Sequence, residues 1–405
     1  MQSYKFYIDN ATWVCEISIV ESSRIYRYMI ENGHKSVKKP SKADFIIINT
    51  CGFLKGFENI SLYLFNKYNS VKKENATIIM VGCLIKINPD LIGSLDVYPI
   101  ELNESNKLDK IFYKKTKFED IKPYCNPETK VKLLVNNIKK RPRYLYFFLT
   151  EKFLLFNDKL KWNYNKVIES IRKNNRTLIE IGRGCAGNCS YCVIKKARGK
   201  IRSRPIQDIL IDIEKSKVPS KKLYLVANDC GCYGIDIKTN LINLLYEINK
   251  KFPDLSIELD YLNPFLLEQY SKEYIQLFND LKVDFITVPM QSGSNKVLKK
   301  MNRTCNVTEV IKIIDDIKKA SPKTFIYSHF IIGFPGESWI DFFKTLLCAK
   351  HFDFPVPFKY SENKNAASSS LPDHKSDLII SIRYQLSLIY FNFIIFFKLL
   401  SYPKF

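Results

Sequence analysis

The sequence predicts an α/β protein: an open α/β domain at the N-terminus, followed by a partial (β/α) barrel. Three observations lead there. Short apolar strands alternate with amphipathic helical stretches along most of the 405 residues. Glycine is scarce at 14 residues, about half the usual ~7%. Eleven of these glycines fall in five short clusters: Gly52 and Gly82; Gly182, Gly184, Gly187 and Gly199; Gly231 and Gly234; Gly293; Gly333 and Gly336. Most of the clusters also hold cysteines, which points to tight loops at a metal or cofactor site. With 46% hydrophobic and 26% charged residues, the chain is an ordinary globular composition. A disordered tail, a collagen and a small disulfide-stapled scaffold are excluded.

Residues 1–125 read as a Rossmann-like alternation. YKFYI is a short strand, VESSRIYRYMIENG an amphipathic helix stopped by Gly33, and ADFIIINT and NATIIMVGC are buried strands. Cys51 follows the second strand, Cys83 ends the third, and Cys15 lies just after the first. Ligands of open α/β sheets sit beyond the carboxyl ends of the strands, so these three cysteines are candidates for one site.

Residues 126–176 loosen into a basic, aromatic linker or insertion, NNIKKRPRYLYFFLTEKF, followed by a helix through WNYNKVIESIRKNN. From 177 to 375, the strands TLIEIG, KLYLVAN, LSIELDYL, DFITVPM and TFIYSHFIIG alternate with helices. That rhythm predicts a partial barrel with functional loops at the strands' C-terminal ends. No internal repeat is visible. The tail, 376–405, carries LSLIYFNFIIFF, too short for the ~20 residues a bilayer requires, and is expected to form a buried or docked helix.

Lys+Arg 63 against Asp+Glu 41 leaves a formal charge of +22. The bias towards Lys, Asn and Ile raises charge by itself, yet a basic surface favours nucleic acid or another polyanion. The opening MQSYKFYIDN has no charged n-region followed by an apolar h-region, so the expected location is cytoplasmic, with no firm membrane association. In a reducing compartment the 11 cysteines are metal ligands, catalytic thiols or small core residues rather than disulfides.

The strongest chemical signal is Cys185-x-x-x-Cys189-x-x-Cys192, within IEIGRGCAGNCSYCVIKKARGKIRSRP. Zinc is one reading, but zinc takes four ligands and usually paired C-x-x-C units. Three thiolates in one tight loop suit a 4Fe–4S cluster whose fourth iron stays open for a substrate or cofactor. Gly184 and Gly187 let the loop wrap it, and Arg183, Lys195 and Lys196 are placed to offset its negative charge.

This spacing, directly after a strand of a β/α repeat, resembles the radical S-adenosylmethionine superfamily. The resemblance implies that the open iron chelates the cofactor's amino and carboxylate groups, and that one electron cleaves it to methionine and a 5′-deoxyadenosyl radical. PMQSGSNKVLKKMNR at 289–303, IIGFPGE at 331–337, ANDCGCYGID at 227–236, the RGKIRSRP run and KYSENKNAASSSLPD are similar to the methylthiotransferases of tRNA and ribosomal protein, over almost all of 1–372. Cys15, Cys51 in NTCGF and Cys83 in VGCL match three ligands of that family's second 4Fe–4S cluster, which handles sulfur. By the same resemblance Asn228, Asp229, Gln291, Ser292, Gly333, Phe334, Pro335, Gly336 and Glu337 lie near the bound S-adenosylmethionine.

The chain departs from the family pattern in places. Val14 and Ser18 stand where the family usually has Gly and Asn, and His329 where it often has Asp. The small basic RNA-gripping β-barrel that normally ends the family is not found, its place being taken by the apolar tail. Cys230 and Cys232 are expected to be passive, and Cys125, Cys305 and Cys348 structural; His34, His351 and His374 show no metal spacing.

The expected reaction converts C–H to C–SCH₃. One cofactor molecule supplies the methyl group, another the radical, and a flavodoxin- or ferredoxin-type donor the electron. GCAGNCSYC followed by KKARGK leans to threonylcarbamoyl-adenosine of tRNA, while NTCGF leans to an aspartate of a small-subunit ribosomal protein. A radical enzyme without thiolation and a non-catalytic RNA-binding relic are the rivals. If the barrel is missing, the stretch Lys139, Lys140, Arg141, Arg143, Tyr144 and Tyr146 is the expected RNA grip.

Overall fold

The computed structural model describes residues 3–12, 15–127, 129 and 176–401, so the basic-aromatic stretch lies outside the described residues. The fold is mixed α/β, with two main parallel sheets that meet across the helix Glu16–Glu31.

The first sheet contains β1 (Lys5–Asn10), β2 (Lys35–Ser36), β3 (Phe45–Thr50), β4 (Thr77–Gly82) and β5 (Tyr98–Ile100), in the order β2-β1-β3-β4-β5. Every neighbouring pair is parallel. β3 and β4 are apolar on both faces because helices and turns cover both: Ile46, Ile48, Ile78 and Met80 face one core, Ile47, Ile79 and Val81 the other.

The second sheet opens with β6 (Tyr124–Cys125), antiparallel to β7 (Thr177–Glu180). A two-strand hairpin, β8 (Gly182–Arg183) with β9 (Arg202–Ser203), then interrupts the chain. The barrel continues through β10 (Lys222–Val226), β11 (Ser256–Tyr261), β12 (Val283–Thr287), β13 (Phe325–Ile332) and β14 (Phe354–Lys359), in the order β14-β13-β12-β11-β10-β7-β6. β7 and β10 to β14 are parallel throughout, which makes the expected partial barrel.

β14 escaped the sequence reading because FPVPFK carries two prolines. It is an edge strand, where a missing N–H costs no ladder bond.

One face of this sheet packs on the barrel helices through Ile179, Leu223, Leu225, Leu259 and Ile286. The other face carries Leu178, Tyr224, Val226, Phe285, Phe325 and Phe354 and is covered by Ile17, Ile19 and Val20 of Glu16–Glu31 and by Ile395. The helix that starts at Cys15 therefore lies against the barrel.

The tail is a helix, Asp377–Ser401, longer than the twelve-residue apolar run, since Leu378, Ile379, Ile380 and Ile382 extend its pattern N-terminally. Phe391, Ile394 and Ile395 are buried, as a docked helix requires. Leu378, Ile382, Leu386, Ile389, Phe393 and Phe397 are exposed. By length and composition alone the segment Asp377–Lys398 is long enough to cross a membrane, which corrects the expectation from the shorter run. No C-terminal β-barrel follows among the described residues.

Candidate functional site

The hairpin β8–β9 pins both ends of the loop that carries Cys185, Cys189 and Cys192. Gly184 sits at φ +77°, where a Cβ would lie 2.1 Å from the Lys200 carbonyl oxygen; only glycine admits that approach. Its amide donates to Asn228 Oδ1 at 3.0 Å, so Asn228 holds the loop in place.

Each sulfur of the triad has a donor beside it. Gly187 N lies 3.2 Å from Cys185 Sγ, Ile194 N 3.4 Å from Cys192 Sγ, and Arg303 Nη1 3.7 Å from Cys189 Sγ. Burial pushes the Cys192 thiol up to about 12. The Cys185 thiol is lowered, first by its neighbour Cys232 and against the effect of burial.

The triad sits inside a ring of polar contacts that the sequence did not disclose. Arg303 donates to the Pro289 carbonyl at 2.9 Å, to Tyr191 Oη at 3.2 Å and to Asn263 Oδ1 at 3.5 Å. Asn263 donates to Asp229 Oδ2 at 3.1 Å, and Cys232 Sγ donates to the same oxygen at 3.2 Å. The donor atoms of Cys185, Asp229 and Cys232 lie within 4.8 Å of one another.

Cys230 and Cys232 therefore differ. Cys230 is a core thiol facing the Leu225 carbonyl, whereas Cys232 borders the triad. Burial raises the Asp229 carboxyl. Arg303 and Asn263 were not read from the sequence as site residues; the available signal was that Asn263 lies just beyond the C-terminal end of β11 and that Arg303 ends the PMQSGSNKVLKKMNR run, after the helix Asn295–Lys300.

Gln291 takes φ +69° and bridges to Phe330 of β13. Ser292 is fully buried with Thr345 Oγ1 at 3.2 Å. Phe334 packs its ring against Tyr191 of the triad loop, and Gly333, Pro335 and Gly336 are buried beside it. Glu337 is fully buried and accepts from Gly333 N at 3.0 Å and from Arg383 Nη1 at 2.7 Å, so its carboxylate turns towards its own loop and the C-terminal helix.

Cys15, Cys51 and Cys83 converge from three places in the first domain. Cys15 is the N-cap of Glu16–Glu31, Cys51 follows β3, and Cys83 follows β4. The three thiols interact electrostatically, and burial pushes all of them up, Cys51 to about 12. Cys83 packs with Val193 and Ala197, just beyond the triad.

Arg198, at the end of the helix Ile194–Arg198, is buried and pairs with Glu21 through two contacts of 3.2 Å. Burial works against its charge, but Cys83, Glu21 and Cys15 more than offset that. A cavity of about 430 Å³ opens beside it between the two domains, lined by Arg24, Lys86, Arg183, Lys196, Arg202 and Arg204 among others.

The donor set of Cys185, Cys189 and Cys192, three thiols each with an adjacent N–H, fits a thiolate-bound iron–sulfur cluster. Cys15, Cys51 and Cys83 form a second all-sulfur set beside a buried cation whose Nε has no partner. That too is a fit for an anionic cluster.

Comparison with known proteins matches two stretches of the chain. Residues 179–349 match the Radical SAM superfamily, and residues 5–98 match the uncharacterized protein family UPF0004. A ribosomal protein uS12 methylthiotransferase RimO of Clostridium tetani is 31% identical, covering 82% of this chain and 70% of that protein. A probable threonylcarbamoyladenosine tRNA methylthiotransferase of Methanocaldococcus jannaschii is 26% identical, covering 92% of this chain and 82% of its own length. A tRNA-2-methylthio-N(6)-dimethylallyladenosine synthase of Buchnera aphidicola is 28% identical over 92% of this chain and 79% of its length.

Among solved structures, the radical S-adenosylmethionine methyltransferase TsrM of Kitasatospora setae shares the fold. Its TM-score is 0.59 at 12% identity, covering 91% of this chain and 74% of that one.

Proposed function

Because the chain belongs to the radical S-adenosylmethionine methylthiotransferase family, which implies S-adenosylmethionine and a 4Fe–4S cluster, we propose that it methylthiolates an adenosine of tRNA in the cytoplasm. Threonylcarbamoyl-adenosine is the substrate we favour, with a second cluster on Cys15, Cys51 and Cys83. The observation that carries the RNA reading is the basic interdomain cavity, whose lining includes Arg198. Its cations suit phosphates more than a peptide backbone. The loop GCAGNCSYC with KKARGK, most like the threonylcarbamoyl-adenosine branch, supports the choice of base.

Bound clusters and S-adenosylmethionine supply the radical, the sulfur and the methyl group. The chain's own residues do the positioning. Asn228 and the Gly184 turn fix the triad loop, and Arg303 and the loop amides hold thiolate charge at the sulfurs. By the family resemblance Asn228, Asp229, Gln291, Ser292 and the 333–337 loop would lie near the bound cofactor; Ser292 and Glu337 are themselves fully buried and would support that surface rather than touch it. A flavodoxin- or ferredoxin-type protein would deliver the electron.

The test is mass spectrometry of tRNA nucleosides from a deletion strain. Loss of a methylthio-adenosine supports the reading, and an unchanged nucleoside profile overturns it. The second reading, methylthiolation of an aspartate of ribosomal protein uS12, has its own support in NTCGF and in the Clostridium tetani relative. A mass shift of that protein in the same strain would establish it.

A further inference from the structure

Arg198 is the one feature of the second cysteine set that its ligand role does not explain. The side chain is 3% exposed, and Glu21 across from it 8%. The two meet through a bidentate contact that joins the barrel loop to the N-terminal helix, with Nη1 to Oε1 and Nη2 to Oε2 both 3.2 Å. Nε–H of Arg198 is buried and donates to no atom.

A buried donor without a partner is destabilising and calls for an explanation. The groups around the guanidinium are Glu21 and the thiols of Cys83, Cys15 and Cys51. Glu21 also takes Arg183 Nη1 at 3.4 Å, and Arg183 in turn holds Glu180, so two arginines face two carboxylates before any ligand is counted. Three thiolates and whatever they bind then add negative charge to a site that is otherwise balanced.

We infer that Arg198 is a positioning residue for the N-terminal cluster: its fixed cation, oriented by Glu21, faces the three thiolates and sets how readily that cluster accepts an electron. The inference rests on the two-cluster reading above. Its structural basis is that Arg198 ends the same helix that follows Cys192, so one short element serves both cysteine sets. Cys83 sits against Val193 and Ala197 of that element.

A cation placed beside a cluster stabilises the more negative, reduced form, so its removal makes reduction harder. The experiment uses the full chain carrying Cys185→Ala, Cys189→Ala and Cys192→Ala, reconstituted anaerobically, so that only the N-terminal cluster contributes. A redox titration followed by electron paramagnetic resonance then compares Arg198→Met, Arg198→Lys and Glu21→Gln in that background.

The expected result is a tenfold or larger fall in the reduced-to-oxidised ratio for Arg198→Met at fixed potential, a negative shift of about 59 mV. Arg198→Lys should recover most of it, and Glu21→Gln should move the potential the other way. An unchanged potential in Arg198→Met with iron retained overturns the role of Arg198 and leaves the two-cluster reading standing. If the triple-alanine background itself holds no iron, the two-cluster reading fails and the inference with it. Should Arg198→Met alone fail to hold iron, Glu21→Gln carries the test: a positive shift supports the role and no shift overturns it.

Discussion

Arg383→Met removes a buried ion pair that helps tie the C-terminal helix to the barrel. Arg383 is 3% and Glu337 0% exposed, and they meet at 2.7 Å. The guanidinium also lies 4.5 Å from the centre of the Trp339 ring. Removing one partner of a buried pair costs about 3–5 kcal/mol, here because Glu337 must then either ionise uncompensated or fold with a proton bound.

The pH dependence is a sharper test. Burial pushes the Glu337 carboxyl from 4.5 up to about 7, with Arg383 pulling the other way. A folded-state value above the unfolded one means Glu337's contribution is complete below about 4.5 and is lost as pH rises through 7. The rise corresponds to about 3.4 kcal/mol. Above pH 7 the wild type should flatten in this respect, because Glu337 is then ionised in both states.

Without Arg383 the carboxyl stays protonated well past 7. The variant therefore keeps losing about 1.4 kcal/mol per pH unit, and its gap from the wild type widens between pH 7 and 9. Urea unfolding of the apo-protein by circular dichroism at pH 6, 7, 8 and 9 reads both. The double variant Glu337→Gln/Arg383→Met should recover most of the loss, since no charge is left to strand. A gap under about 1 kcal/mol at pH 8, or one that does not change with pH, refutes the reasoning.

Three further outcomes are expected. Replacing Cys185, Cys189 and Cys192 together by Ala should leave about half the iron of the reconstituted protein and abolish S-adenosylmethionine cleavage, measured as 5′-deoxyadenosine. Cys51→Ala should let that cleavage continue while methylthiolation stops, because Cys51 closes a strand of a different sheet from the triad; product formed at the normal rate would make the N-terminal set dispensable. Gly184→Ala should mimic loss of the triad in iron content: the left-handed backbone costs about 1–2 kcal/mol, and the new Cβ meets the Lys200 carbonyl oxygen at 2.1 Å.

What was legible in the sequence was whatever sits close together along the chain. The triad spacing and the cysteines at strand ends depend on local loops and the strand period, and both can be read from neighbouring residues. The polar ring around the triad could not be read that way. Asp229 and Asn263 follow two different strands and Arg303 follows the helix Asn295–Lys300, and only closure of the barrel brings them together. Cys232 reads as passive in the sequence for the same reason, since its proximity to Cys185 is a property of adjacent strand ends. β14 was hidden by its prolines and the tail helix by an apolar run that understated its length. In both cases a tertiary neighbour, the sheet edge or the packed face, decided the element rather than local propensity.

The segment between β8 and β9 has more to do than a cluster loop requires, and its geometry suggests why it is built as a closed hairpin. Its ends are held by pairing of Gly182 with Ser203 and Arg183 with Arg202. Its start is held by the Gly184 amide on Asn228, and its far end by Arg198 on Glu21 across the domain boundary. Gly199, at φ +78°, turns the chain back immediately after that contact. A change that shifts the Arg198–Glu21 contact therefore also pulls on the loop that holds Cys185, Cys189 and Cys192. Holding both cysteine sets from one short, doubly anchored element constrains their separation, which the proposed reaction, with a radical at one set and sulfur at the other, would depend on.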